Sequence, residues 1–193
     1  MRRESALSFS VVLFSCDPAS ALLSLTSSSV SGGLGGGRVG GAAALAARNT
    51  IVTDVPMVQV GIKPCIQNTF ANPVYCSIDA SGGTQTEKPS VSEGIEILAR
   101  RYPEAIFVIS QGQAALTALL ELIESEEVRP AMVIGAPAGF VDVDVAKQRL
   151  NDALVPHIRI DGRKGNAVVA TAIINGLVEL AWQAYGQDES VGG

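Results

Sequence analysis

The sequence predicts a three-layer α/β/α domain built on a mostly parallel sheet of about five strands. Two apolar runs, Ile106–Ile109 and Ala131–Ile134, lack polar alternation, which is typical of strands buried on both faces. Between them, residues 114–124 carry apolar side chains at helical spacing. A strand, a helix and a strand in this order form a crossover unit with parallel strands. Ligands bind such sheets outside the carboxyl ends of the strands, so we expect the site there.

The alternation of strands and helices continues from residue 42 onward. Pro56 opens a short helix that Asp54 is placed to cap, and Ser90 or Ser92 caps a later one. The expected strands are 51–53, 74–78, 106–109, 131–134 and 157–160, and the expected helices are 42–47, a short one from 56, 90–101, 114–124, 143–150 and 167–185. This order predicts a flavodoxin-like architecture.

Two of these elements carry expectations about exposure. The helix 143–150 is amphipathic, and we expect Lys147 and Arg149 on its solvent side. The strand 157–160 has polar alternate residues, which predicts a solvated face or a sheet edge.

Bulk properties exclude several classes of protein. The chain has 193 residues, enough for one domain with a full core, and its net charge of −5 argues against a nucleic-acid partner. The cysteines, Cys16, Cys65 and Cys76, match neither a zinc pattern nor a disulfide set, which favours a reducing, cytoplasmic setting. We expect no apolar run to approach the length of a membrane span, so no membrane partner is predicted.

Residues 1–41 differ in composition from the rest, with a basic start, a short apolar stretch, a Ser-rich part and a Gly-rich part. They are interpreted as a disordered or non-native lead, with a targeting peptide as the other possibility. The domain then covers 42–188, and 189–193 form a tail.

The loop from Asp161 to Asn166 is the most suggestive candidate site. Gly162 and Gly165 permit close backbone approach, and Arg163 and Lys164 lie near the start of the last helix. Cations oppose the helix dipole at that end, so a bound anion would explain them, although an ordinary polar loop is the alternative.

Other candidates have structural alternatives of equal or greater weight. Thr53-Asp54 and Ser110–Gln113 follow strands and offer ligand contacts, or they only cap helices. His157 is the only histidine, and its place at the start of a strand favours a structural role, so no Ser/His/Asp set is expected. Asp142 and Asp144 either hold a metal or cap a helix, and no metal site is predicted.

Several separated segments resemble the precorrin-8X methylmutase family, which includes the cobalt-precorrin-8 methylmutases. They are TDVPMVQVGI (53–62), AMVIGAPAGFVDVDVAKQRL (131–150) and VPHIRIDGRKGNAVVATAIING (155–176), and the likeness extends over about residues 42–186. The resemblance implies a flavodoxin-like homodimer without a cofactor. It also implies an isomerase of cobalamin biosynthesis, which moves a methyl group from C11 to C12 of the corrin ring to give hydrogenobyrinic acid or its cobalt form.

The substrate implied is a large flat tetrapyrrole polycarboxylate. Arg163, Lys164 and Arg159 supply local cations for it, and apolar side chains suit the ring face. The expected substrate-binding residues are Thr53, Asp54, Met57, Gln111, Gln113, Ala114, Gly162, Arg163, Lys164, Gly165 and Asn166.

Three departures from the family pattern bear on activity. Residues 1–41 contain no histidine where the family carries one, Ser110 replaces a glycine, and the arginine expected after Pro89 is absent. General acid–base help is worth about 10²–10⁴-fold, so slow turnover is expected. A non-catalytic corrinoid-binding protein is the alternative function, and a phosphate-binding flavodoxin-like module is a third.

Overall fold

The computed structural model describes residues 9–13, 23–27, 30–33, 37–80 and 90–186. The strands are β1 (Phe9–Leu13), β2 (Leu23–Ser27), β3 (Val30–Gly33), β4 (Ile51–Thr53), β5 (Val74–Cys76), β6 (Ile106–Ile109), β7 (Met132–Gly135) and β8 (His157–Ile160). The helices are α1 (Gly37–Ala46), α2 (Pro56–Gln67), α3 (Val91–Arg101), α4 (Gln113–Glu124), α5 (Val143–Asp152) and α6 (Ala167–Tyr185), with a 3-10 helix at Ser77–Asp79.

The main sheet has six strands in the order β3-β8-β7-β6-β4-β5. The strands from β4 to β8 are parallel, and β3 is antiparallel to β8. Without β3, the order β5-β4-β6-β7-β8 is the flavodoxin-like order 2-1-3-4-5. The predicted fold class is therefore confirmed.

Helices cover both faces of the sheet, because the strand side chains alternate between two cores. Ile106 and Val108 belong to the core shared with α1, α2 and α6. Phe107 and Ile109 belong to the core shared with α3, α4 and α5. The connections change face between β4 and β6, which makes this pair the topological switch point of the sheet.

Three elements depart from expectation. Helix α2 is not short, since it continues through Pro64 to Gln67. Strand β5 ends at Cys76 rather than at residue 78, because Ser77 begins a 3-10 helix and its hydroxyl donates to the Asp54 carbonyl at 2.7 Å. Strand β8 is neither an edge nor solvated on one face, since β3 pairs with it and only Arg159 is partly exposed.

Helix α6 corrects the expectation about long apolar runs. By length and composition alone it is long and apolar enough to cross a membrane. Its inner side chains, among them Ile173, Ile174 and Leu177, are buried in the core with α1 and α2, as in a core helix of an α/β domain.

Parts of the predicted lead carry secondary structure. Strands β1 and β2 pair with each other, and α1 begins at Gly37, before the predicted boundary at residue 41. Strand β3 also belongs to that lead, whereas the remaining residues of the lead, including Cys16, and the predicted tail 189–193 lie outside the described residues. Cys65 and Cys76 are buried.

Candidate functional site

The carboxyl ends of the parallel strands gather most of the predicted site residues on one rim of the sheet. Thr53 ends β4, Gln111 follows β6, and the loop 161–166 follows β8. Thr53 is aligned with Val108 of the neighbouring β6, so the loops after these strands start at the same level. Sequence reasoning placed the site on this rim because parallel strands end together.

Asp54 joins two of these loops at the switch point. One carboxylate oxygen accepts hydrogen bonds from the backbone N–H groups of Ser110 and Gln111, each at 2.7 Å. The other oxygen accepts a bond from the Ser110 hydroxyl at 2.8 Å. Burial raises the pKa of Asp54 above its usual value, and the bonds from Ser110 and Gln111 limit the rise.

These contacts overturn both capping interpretations. Val55, not Asp54, holds the N-cap position of α2 and makes no side-chain cap bond. Gly112, not Ser110, holds that position in α4. Ser110, which by the family resemblance replaces a glycine, thus uses its hydroxyl to bond the loop after β6 to the residue that follows β4.

The remaining switch-point residues differ in exposure. Thr53 is fully buried, and its hydroxyl donates to the Tyr75 carbonyl at 3.4 Å. Gln111 and Ala114 are exposed. Gln113 is half-buried, and within the described chain its side-chain oxygen has no hydrogen-bond partner. Beside the hydrogen-bonded Asp54 carboxylate, the switch point thus carries an exposed amide at Gln111 and a buried, unpaired amide oxygen at Gln113 among the described residues.

The loop 161–166 holds the exposed cations. Arg163 is 62% exposed, with its Nε 3.4 Å from an Asp144 carboxylate oxygen, and Lys164 is also exposed. The side chain of Asn166 caps α6 by accepting a bond from the Val169 N–H at 2.9 Å. The start of α6 and two cations thus lie side by side, as an anion site requires.

Lys147 is the functional side chain that sequence reasoning placed wrongly. It is 1% exposed rather than solvated, and its Nζ donates to the Gly162 and Lys164 carbonyls at 2.6 and 2.7 Å. Burial lowers its pKa to about 8, Asp144 and Asp161 oppose the shift, and Arg159 adds to it. The signal was present, because Lys147 shares the helical face of Val143 and Leu150, which are buried.

His157 lies at the opposite end of the sheet from the rim. It begins β8, is 1% exposed, and its Nδ1 is 3.0 Å from the Val155 carbonyl oxygen. Burial lowers its pKa, so it stays neutral near pH 7. This position agrees with the structural role expected for it.

Asp142 and Asp144 lie at the N-cap and in the first turn of α5. Asp142 holds the N-cap position without a side-chain cap bond, and Asp144 pairs with Arg163. Among the described residues, no group of three or more metal-ligating side chains occurs.

Exposed apolar side chains border the rim. They come from the first turns of helices and from the loop after β7, and Phe140 is 87% exposed. The set is Met57, Phe140, Val141 and Val168. A rim with cations beside β8 and exposed apolar side chains suits a flat molecule with an apolar face and carboxylate edges.

Comparisons with known proteins relate the chain to one family. The sequence model of the precorrin-8X methylmutase family matches residues 38–180. The cobalt-precorrin-8 methylmutase of Synechocystis is 40% identical over 69% of this chain and 62% of its own length. That of Methanocaldococcus jannaschii is 30% identical over 73% of this chain and 66% of its own length. The chain thus spans less than two thirds of either relative.

A solved structure is also similar. The precorrin-8X methylmutase of Thermus thermophilus superposes with a TM-score of 0.69 at 28% identity, covering 80% of this chain and 77% of the other.

Proposed function

The chain belongs to the precorrin-8X methylmutase family, and we propose that it is an isomerase of cobalamin biosynthesis. It would move a methyl group from C11 to C12 of precorrin-8X or cobalt-precorrin-8, giving hydrogenobyrinic acid or its cobalt form. The observation that carries the proposal is the single rim that joins the Asp54-anchored switch point to the cations of the loop 161–166.

We assign a role to each rim residue from the exposure of its side chain. Arg163 and Lys164 pair with substrate carboxylates, and the backbone of Gly162, Gly165 and Asn166 lies beside them. Gln111 and Gln113 hydrogen-bond the ring edge, and Met57 and Ala114 contact its apolar face. Thr53 and Asp54 are buried, so we assign them the support of these loops rather than direct contact.

The reaction is intramolecular, so the protein's part is to orient the ring and to stabilise charge as the methyl group moves. The family resemblance assigns proton transfer to a histidine that this sequence lacks, and His157 is buried away from the rim. We infer that the rim binds and orients the substrate, and we assign no proton transfer to His157. We also infer a cytoplasmic homodimer that needs no cofactor, with the methylmutase domain at 42–188.

Absorbance titration of the full chain with hydrogenobyrinic acid tests binding, and conversion of precorrin-8X followed by its spectrum tests catalysis. The double variant Arg163→Gln/Lys164→Gln should bind the product about 10- to 100-fold more weakly, because charged hydrogen bonds are lost.

A matched control removes the same charges elsewhere. Lys63→Gln/Arg129→Gln changes an exposed helix lysine and a loop arginine that pairs with Glu126 before β7, at the opposite end of the sheet. It should bind as the parent does. Equal weakening in both double variants, or no product binding by the parent chain, would refute the proposed site. Binding without any turnover would favour the non-catalytic alternative.

A further inference from the structure

A cluster of charges surrounds the buried Lys147 between α5 and the end of β8. Lys147 is fully buried there, and the charged groups that act on it are Asp144, Asp161 and Arg159. Arg159 is itself paired with Asp161. The ammonium group donates its two hydrogen bonds to backbone carbonyls of the loop, not to a carboxylate.

Those two carbonyls, of Gly162 and Lys164, flank Arg163 on either side. The loop is also held from the sheet side, since Gly165 lies so close to the Ala136 carbonyl oxygen that a Cβ would overlap it. Asp144, one turn before Lys147 on α5, reaches the Arg163 guanidinium. The backbone of the loop is therefore fixed by α5 on one side and by the loop after β7 on the other.

Burying the Lys147 ammonium group costs free energy, because a charge is removed from water. A methionine of similar length would pack there without the cost of removing a charge from water. What methionine cannot supply is a double donor to two carbonyls that are two residues apart. The free-energy cost of burying Lys147 is explained if the function requires a fixed geometry of this loop.

We propose that Lys147 is a positioning residue for substrate binding, which fixes the backbone at 162–164 so that Arg163 and Lys164 meet substrate carboxylates already arranged. The proposal rests on the proposed function, because it assigns these two cations to the substrate. It adds a residue that touches no substrate yet sets the affinity, since prearrangement removes the cost of ordering the loop on binding.

The first test needs no corrinoid. Trypsin cleaves after Arg163 and Lys164, so the rate of cleavage there, identified by mass spectrometry, reports how firmly the loop is held. Lys147→Met should raise that rate about fivefold or more while cleavage after Arg48, in the exposed turn before β4, stays unchanged. Lys63→Met, which removes an exposed lysine of α2, is the control and should change neither rate. A parallel rise at both sites would mean general destabilisation and would overturn the proposal.

The second test separates affinity from chemistry. Lys147→Met should weaken hydrogenobyrinic acid binding about tenfold and leave kcat within about twofold, because prearrangement acts on binding. A loss in kcat with unchanged affinity would contradict the positioning role.

The parent chain supplies an independent measurement if the variant folds poorly. Its affinity for hydrogenobyrinic acid should fall between pH 7 and 9 with a midpoint near the Lys147 pKa of about 8. A flat profile would overturn the proposal. A parent chain that binds no corrinoid at any pH would instead refute the proposed function, while the trypsin test of the loop would still stand.

Discussion

At the scale of single residues, Asp54 shows how one carboxylate organises a site without being exposed. It is fully buried and accepts three hydrogen bonds from Ser110 and Gln111, which are 56 and 57 positions away in the chain. Buried acceptors of this kind are costly to leave unpaired, so the loop after β6 is held against the end of β4.

Asp54→Ala should lower the free energy of unfolding by about 2–4 kcal/mol, because it leaves the N–H groups of Ser110 and Gln111 without their acceptor. Ser110→Ala removes only the hydroxyl donor and should cost about 1–2 kcal/mol. Urea denaturation at pH 7 measures both values. Equal losses of unfolding free energy in the two variants would mean that the hydrogen bonds from the Ser110 and Gln111 N–H groups contribute little to stability.

The lowered pKa of Lys147 predicts how the free energy of unfolding changes with pH. Its pKa falls from 10.5 to about 8 on folding, so between these values the unfolded chain binds the extra proton. The free energy of unfolding then rises with pH. Over the same range Lys147 loses its proton, which weakens its hydrogen bonds to the loop. Relative to Lys147→Met, the parent chain should gain about 1 kcal/mol between pH 7 and 9. Urea denaturation of both proteins at the two pH values checks this, and a relative loss would contradict it.

At the scale of elements, the loop between β8 and α6 depends on its two glycines in different ways. Gly162 has φ of +67°, and no atom lies within 4 Å of the place where a Cβ would stand, so a side chain there would cost only conformational strain. Gly165 has φ of +139°, and a Cβ there would also meet the Ala136 carbonyl. The second glycine is therefore needed for contact between loops as well as for the turn.

Gly165→Ala should cost more than about 2 kcal/mol and should weaken hydrogenobyrinic acid binding, because the loop must move away from Ala136. Gly162→Ala should cost about 1 kcal/mol, as expected for a left-handed residue without a clash. Thermal unfolding and product titration compare the two variants. A larger loss at Gly162 would contradict this account.

Elements with strong local signals were predicted well, and those decided by distant contacts were not. The capping serine expected at Ser90 or Ser92 and the long apolar pattern of α6 placed these helices from sequence, and the structure shows Ser90 in a capping box with Glu93. Strand β5 was predicted too long because the bond from Ser77 to the Asp54 carbonyl is not visible locally. Helix α2 passes through Pro64, which deprives only the carbonyl of Val60, on the exposed side, of its helical partner.

At the scale of the whole molecule, the sequence predicted the parallel sheet and the rim because buried strands and crossover helices have clear periodicities. The internal bonding of the rim could not be predicted. The Asp54 carboxylate and the Lys147 ammonium find their partners across loops, and no local pattern records such pairs. Lys147 was thus assigned to solvent and Asp54 to ligand contact or helix capping, whereas both are buried and hydrogen-bonded to these loops.

The antiparallel strand β3 has a consequence for how copies of this protein meet. It covers the edge of β8 and is itself one edge of the main sheet, four residues long, while the other edge is the strand Val74–Cys76. That strand is only three residues long, and its Tyr75 ring stacks on Tyr102 at 5.0 Å. Short edge strands offer few backbone groups for a strand of another copy to pair with, so this sheet is protected against growth into fibrils.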